Sequence, residues 1–200
     1  EELTDDAYGS FLSTALWRCN YRYAIDNVMD PMHGAYLHAK SHSMSTGDKS
    51  AQMRLSETGQ GWMFEKENQS GVNFDWVEFA DTGTFWMRLA IPYRKNAGPG
   101  GNFTIIGFVT PVTEQVCQVY FWRVRKVSGW ERDTWRFLYK NRLEGLHWDV
   151  LEQDRVVLEA MQDNARTRES LYQHDAGMTK IRRDLRILAQ KQVNTQTSHA

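Results

Sequence analysis

The sequence predicts an α+β domain, an antiparallel sheet in hairpin order followed by helices. Three observations predict it. Between residues 51 and 126, short segments alternate apolar and polar side chains and are separated by turn residues. After residue 130 the apolar spacing changes to three and four. Ahead of both, a helical stretch is interrupted by Pro31, which removes a backbone donor and clashes with the carbonyl four residues back. Two hundred residues, 41% hydrophobic and 12% aromatic, suffice for one domain with a sizeable core. No repeat, low-complexity tract or second-domain boundary divides residues 1–200.

The first block, to about His42, holds a short lead-in and the broken helix. Asn27, Asp30 and His33 recur every three residues, so they lie near one helical face. His38 stands five residues beyond His33, about 140° around the helix, and an unbroken helix aims the two imidazoles apart. Pro31 and Gly34 supply the interruption that lets both rings turn toward one point. The second block is the sheet. Ala51–Glu57 and Gly61–Glu67 alternate across a Glu57-Thr58-Gly59-Gln60 turn. Val72–Phe79 carries Phe74, Trp76 and Phe79, and Thr84–Ile91 follows an Asp81-Thr82-Gly83 turn. Asn102–Thr110 and Gln115–Lys126 pair across Pro111-Val112-Thr113-Glu114. These make about six strands, with a loop at Gly98-Pro99-Gly100-Gly101. The third block holds helices over Trp130–Asn141, Leu146–Gln162 and Thr179–Gln192, of which a long one is expected to cross the concave face of the sheet.

Two imidazoles aimed at one point suit a metal, since neutral imidazole is the commonest protein ligand for Zn, Cu, Fe and Ni. A third ligand must come from elsewhere. Along Leu146–Gln162 the apolar stripe is Leu146, Val150, Val157, Leu158 and Met161, and Asp154 falls inside it. Glu144, Asp149, Glu152, Glu159 and Asp163 mostly fall outside it or at its margin. A carboxylate on a buried face is costly unless it is paired or coordinates a metal. Two readings of Asp154 follow: a metal ligand, or an ion pair with a buried arginine such as Arg142 or Arg155.

The pattern Asn27-x2-Asp30-x2-His33-x4-His38, with Glu152-Gln153-Asp154 far downstream in a helix, resembles the catalytic domain of Rieske non-haem iron oxygenases. The closer likeness is to the alpha-only branch of phthalate- and phenoxybenzoate-type dioxygenases and O-demethylating monooxygenases. The wording of residues 19–27, from Cys19 through Tyr21 and Tyr23 to Asn27, is similar to that family's approach to its iron helix, and the resemblance runs roughly from Ala15 to Leu188. It implies a helix-grip (TBP-like, Bet v 1-like) sheet enclosing an apolar cavity. It implies His33, His38 and Asp154 as ligands of a mononuclear Fe(II), Asn27 beside the iron, and Asp30 as the residue that carries electrons or protons between subunits. Electrons then come from NAD(P)H through a reductase or ferredoxin to a [2Fe–2S] Rieske cluster. O2 and an aromatic substrate react at the iron, by hydroxylation or by oxidative loss of an O- or N-alkyl group. Head-to-tail trimers are the implied assembly.

A Rieske cluster needs two Cys and two His, in paired Cys-x-His and Cys-x-x-His motifs. The two cysteines, Cys19 and Cys117, stand in neither motif. The expectation is therefore the C-terminal catalytic part of a longer oxygenase subunit, without turnover when isolated. A net charge of −1 implies no bulk attraction to nucleic acid or membrane. No signal peptide or membrane-length apolar run is read, and two isolated cysteines fit a reducing cytoplasm.

Arg123, Arg125, Lys126, Arg132, Arg136, Lys140 and Arg142 form a basic run, either a solvated face or a docking surface for a reductase or ferredoxin. Phe74, Trp76, Phe85, Trp86, Phe103, Phe108, Tyr120 and Trp122 alternate on strands, as core or as the lining of a pocket for a planar substrate. His147 shares the Asp154 face and reads either as a partner of the metal site or as surface, and His42 reads as a surface or loop residue, with an alternate ligand as its other reading. His174 and His199 carry no reading. Two other functional classes remain at this point: a metal-free carrier of a hydrophobic ligand, which has no need of the triad, and a hydrolase with zinc in the same three ligands.

Overall fold

The computed structural model describes residues 2–38, 48–68, 76–80, 86–93 and 101–197, the side chains of 86–93, 101 and 197 excepted. Phe74, Phe85, the Trp86 side chain, His42, His199, the Asp81-Thr82-Gly83 turn and most of the Gly98–Gly101 loop lie outside the described residues.

Strands β1 (Tyr8–Trp17), β2 (Met53–Glu57), β3 (Gly61–Lys66), β4 (Trp76–Ala80), β5 (Trp86–Tyr93), β6 (Gly101–Thr113) and β7 (Val116–Lys126) form one antiparallel sheet. Their order is β1-β7-β6-β5-β4-β3-β2. All six expected strands are present, and β1 is a seventh that sequence patterning did not yield. Gly9, Phe11, Ser13, Ala15 and Trp17 turn inward on β1, while Leu12 and Leu16 turn outward and are exposed. Small residues inside and leucines outside erase the usual apolar alternation. The β6–β7 hairpin is also longer than its turn residues implied. Pro111 stays in the strand because a register shift between Pro111 and Thr113 relieves the ladder of a missing N–H.

Helices cover one face. Helix α1 (Tyr21–Val28) packs against β6 and β7, and α2 (His33–Leu37) follows after the Pro31 break. Helix α3 (Gly129–Leu138) passes through a π-helical turn, Tyr139–Leu143, into α4 (Glu144–Glu159), and both α3 and α4 pack against β1. A short α5 (Ala165–Arg168) leads to α6 (Ala176–Thr197). The α+β expectation holds. On its inward face β7 carries Cys117, Val119, Phe121, Arg123 and Arg125. Strand period therefore sends two members of the basic run into the core, so the run is not one docking surface; Lys126, Arg136, Lys140 and Arg142 remain exposed. The aromatics divide likewise. Phe103 packs inward against Trp135, with ring centres 5.7 Å apart, whereas Phe108, Tyr120 and Trp122 are half-buried.

Helix α6 docks through Gly177, where a Cβ would stand 2.5 Å from the Phe64 ring, and through buried Ile181. It is tied to α1 by Arg182, whose Nη2 donates to Asp26 Oδ2 at 2.7 Å and whose Nε bonds both carboxylate oxygens. The same guanidinium holds both oxygens of Glu169. Burial pushes the Asp26 pKa up, opposed by Arg182. Asp26→Ala should destabilise the fold by about 2 kcal/mol, below the roughly 3–5 kcal/mol of a fully buried pair because Glu169 still faces Arg182. The urea midpoint checks this.

Candidate metal centre

The chain leaves α1 at Met29, whose N–H bonds Ile25, and re-enters a helix at His33. Between them Asp30 caps the turn: its Oδ1 accepts from the Met32 N–H at 2.7 Å. The break places His33 at the start of α2 and His38 at its end, with ring centres 5.1 Å apart and planes at 78°. Both rings face α4. Asp154 Oδ1 lies 3.7 Å from His33 Nε2 and 3.2 Å from His38 Nε2. One ligand atom from each of the three residues lies within 4.8 Å of the other two.

Each ring is held by its other nitrogen. His33 Nδ1 meets the Asp30 carbonyl at 2.5 Å, and His38 Nδ1 meets Gln153 Oε1 at 3.1 Å. Both partners accept, so both Nδ1 atoms carry the proton and both Nε2 lone pairs point inward. Burial, the largest single influence on His38, lowers its pKa, but Asp154 and Gln153 outweigh it and leave the pKa raised. Asp154 is 5% exposed, and its Oδ1 has no hydrogen bond of acceptable geometry among the described residues. Among the described residues no arginine pairs with it: Arg155 bonds Glu152 and Glu159, and Arg142 is exposed. Ligand atoms at about 2.1 Å from a metal and at right angles stand about 3 Å apart, so small rotations close this set on an ion. A buried carboxylate facing two correctly protonated imidazoles fits a first-row divalent metal.

Helix phase put Asp154 on a buried face, and it is buried, but the stripe around it is rotated. The buried side of α4 is His147, Val150, Leu151, Asp154 and Leu158, while Leu146, Val157 and Met161 are exposed. Apolar residues lie on two sides of α4, and packing rather than period chooses between them. His147 is buried against the rings of Phe103 and Tyr139, at 5.3 and 5.5 Å, so the surface reading fails. Asp30 contacts the His33 ring through its backbone carbonyl and not through its carboxylate, which caps the Met32 N–H. Burial pushes the Asp30 pKa up, against the lowering effect of His33 and the Met32 N–H. Asn27 is half-buried, and its Nδ2 is buried with no hydrogen-bond partner among the described residues.

Sequence reasoning assigned no role to Gln153 or His174. Gln153 precedes Asp154 on α4, and only its length and amide mark it as able to reach a neighbouring ring. His174 is buried between the Tyr172 hydroxyl and the Ala51 carbonyl, both at 2.9 Å, and pins the segment before α6 to the start of β2. Gln153→Leu keeps the shape but leaves His38 Nδ1–H without its acceptor. It should weaken metal binding about 10–100-fold, as loss of a ligand-orienting partner does, in competition with a chromophoric chelator.

The family model, with the fold shared by solved oxygenase structures, gives the class: the C-terminal catalytic domain of a Rieske oxygenase alpha subunit. The chain belongs to the vanillate O-demethylase oxygenase C-terminal domain family, whose profile matches residues 17–191. No curated protein sequence matches it. Among solved structures it is similar to dicamba monooxygenase bound to dicamba, at 17% identity and TM-score 0.63, over 95% of this chain and 61% of that one. It is similar to the oxygenase of the reduced oxygenase–ferredoxin complex of carbazole 1,9a-dioxygenase, at 15% identity and TM-score 0.63, over 87% of this chain and 53% of that one. A third likeness is to a QL mutant of NdmA from Pseudomonas putida CBB5 with caffeine, at 14% identity and TM-score 0.62, over 92% of this chain and 51% of that one. The chain thus spans between half and three-fifths of the length of these proteins. Among its described residues no helix is long and apolar enough to cross a membrane.

Proposed function

We propose that this chain is the Fe(II)-holding part of an oxygenase that hydroxylates an aromatic substrate or oxidatively removes an O- or N-alkyl group from it. The observation that carries the reading is the convergence of His33, His38 and Asp154 with both Nε2 lone pairs turned inward. Fe(II) held by two imidazoles and one carboxylate keeps open positions and supplies O2 activation when bound. His33 and His38 bind through Nε2, Asp154 supplies the negative charge, and Gln153 and the Asp30 carbonyl keep the rings in the binding tautomer. The buried Asn27 amide is a donor for a group placed beside the metal.

Asp30 is the coupling residue. Its carboxylate is only partly buried, its backbone contacts a ligand ring, and its raised pKa suits a group that takes and releases a proton. Electrons would arrive from NAD(P)H through a reductase or ferredoxin and a [2Fe–2S] Rieske cluster outside residues 1–200, on a neighbouring subunit of a trimer. The family assignment and the ferredoxin complex of the carbazole enzyme support that reading. Anaerobic reconstitution with equimolar Fe(II) and Zn(II), followed by elemental analysis and oxygen uptake, tests it. One iron per chain that consumes O2 with reductant is expected. A zinc-only protein that hydrolyses esters, or one that takes up neither metal, contradicts it.

A further inference from the structure

Away from the metal centre, α1, α5 and α6 line a cleft of about 440 Å³, within the size range of small-ligand pockets. Arginines dominate it: Arg22 from α1, Arg166 from α5, and Arg182 and Arg186 from α6. Asp26 is an acid of the same cleft, and Glu169 is another. Four guanidiniums against two carboxylates leave a surplus of two positive charges.

Both acids are committed to one arginine. Arg182 Nη2 donates to Asp26 at 2.7 Å and to Glu169 at 2.9 Å, and its Nη1 donates to Glu169 as well. The other three arginines keep donors in reserve. Arg166 Nη2 stands 3.8 Å from Asp26 Oδ2, too far for a hydrogen bond. Arg22 reaches only the Tyr21 hydroxyl, at 3.4 Å, and no acid among the described residues pairs with Arg22 or Arg186. On other helical surfaces cations meet acids one turn away, as Lys140 meets Glu144 and Lys180 meets Asp184. The cleft side of α6 is built the opposite way. Arg182, Leu185, Arg186 and Ala189 recur at three and four and share one face, where like charges one turn apart repel. Leu185 and Ala189, with Tyr21 of α1, add an apolar wall. Positive charge beside a low-dielectric wall in a concavity focuses the field on an entering anion.

We propose that this cleft binds a phosphate monoester, with its dianionic phosphoryl group held by Arg22, Arg166 and Arg186 and its organic part against Tyr21, Leu185 and Ala189. A guanidinium presents paired N–H donors that match phosphate oxygens, and the two surplus charges match a dianion. Asp26 and Arg182 brace the site without being consumed by the ligand. None of His33, His38 and Asp154 lines the cleft, so the inference stands independently of what the metal centre holds. An occupied cleft ties α6 to α1, the helix that leads into the Pro31 break ahead of both histidines.

The test titrates the full-length oxygenase calorimetrically at about pH 8, where a phosphate monoester carries its second charge. Three probes are used: butyl phosphate, butanesulfonate and inorganic phosphate. The first two match in shape and differ in charge; the third lacks the organic part. Wild type should bind butyl phosphate about tenfold more tightly than butanesulfonate and about threefold more tightly than inorganic phosphate. Arg22→Gln and Arg186→Gln, on different helices, should each weaken butyl phosphate about fivefold or more and narrow its lead over the sulfonate. Arg183→Gln, on an exposed side of α6, should change neither. Without ligand, the two cleft variants should melt no lower than wild type, because like-charge repulsion is relieved; arginines that merely hold the helices together would melt lower when replaced. Equal binding of butyl phosphate and butanesulfonate, absence of saturable binding, or unchanged affinity in either cleft variant overturns the inference. Inorganic phosphate binding as tightly as butyl phosphate overturns the organic part of it. If one cleft variant does not fold, the other carries the test, and failure of both assigns the arginines to the fold and overturns the inference.

Discussion

Replacing His33 or Asp154 by alanine should abolish stoichiometric iron binding and leave the domain folded. Three donors converge on one point, and each imidazole is already fixed through its Nδ1. Loss of one donor leaves a two-point chelate. Partners that only orient a ligand are worth about 10–100-fold in affinity, so loss of a ligand should exceed 100-fold. Folding should survive because the triad costs the metal-free fold more than it contributes: Asp154 Oδ1 is buried without an acceptable hydrogen bond. In Asp154→Ala that cost disappears, and its metal-free melting temperature should match or exceed wild type. Elemental analysis with circular dichroism checks both halves. Either variant retaining one iron per chain contradicts the ligand assignment.

Asp30→Asn in the full-length oxygenase should keep the iron and the Rieske cluster yet lose at least nine-tenths of turnover. The bond to His33 comes from the Asp30 backbone carbonyl, which the substitution does not touch. The cap on the Met32 N–H comes from Oδ1, which an asparagine carbonyl reproduces. What the change removes is the charge and the ability to carry a proton at a half-buried position whose pKa is raised by burial. Iron content, cluster absorbance and coupled NAD(P)H oxidation separate the cases. Wild-type turnover sinks the coupling role, and iron loss would place Asp30 among the ligands.

The parts of the site legible in sequence were those set by backbone chemistry and by a misplaced charge. Pro31 had to end α1, and it does, at Val28. Asp154 was an acid on a buried helical face, and phase found it although the apolar residues around it point elsewhere. Six strands were legible because turn residues separate them. Strand β1 was not, because Gly9 and Ser13 leave room for Trp135 and Tyr139, and that choice is visible only once α3 is in place. The π-helical turn left no mark in composition, so one continuous helical passage read as two helices. The basic run misled because charges near one another in sequence are divided between faces on a strand, and Arg123 and Arg125 point inward. Gln153 and the Asp30 carbonyl act on the histidines through contacts that depend on where α2 meets α4.

Anomalous diffraction at the iron absorption edge, from crystals grown anaerobically with Fe(II), tests the central claim most directly. The account predicts one peak bounded by His33 Nε2, His38 Nε2 and the Asp154 carboxylate, at about 2.0–2.2 Å from each, with the remaining positions free of protein ligands. A peak elsewhere, or Asp154 turned away from both histidines with iron present, would contradict it.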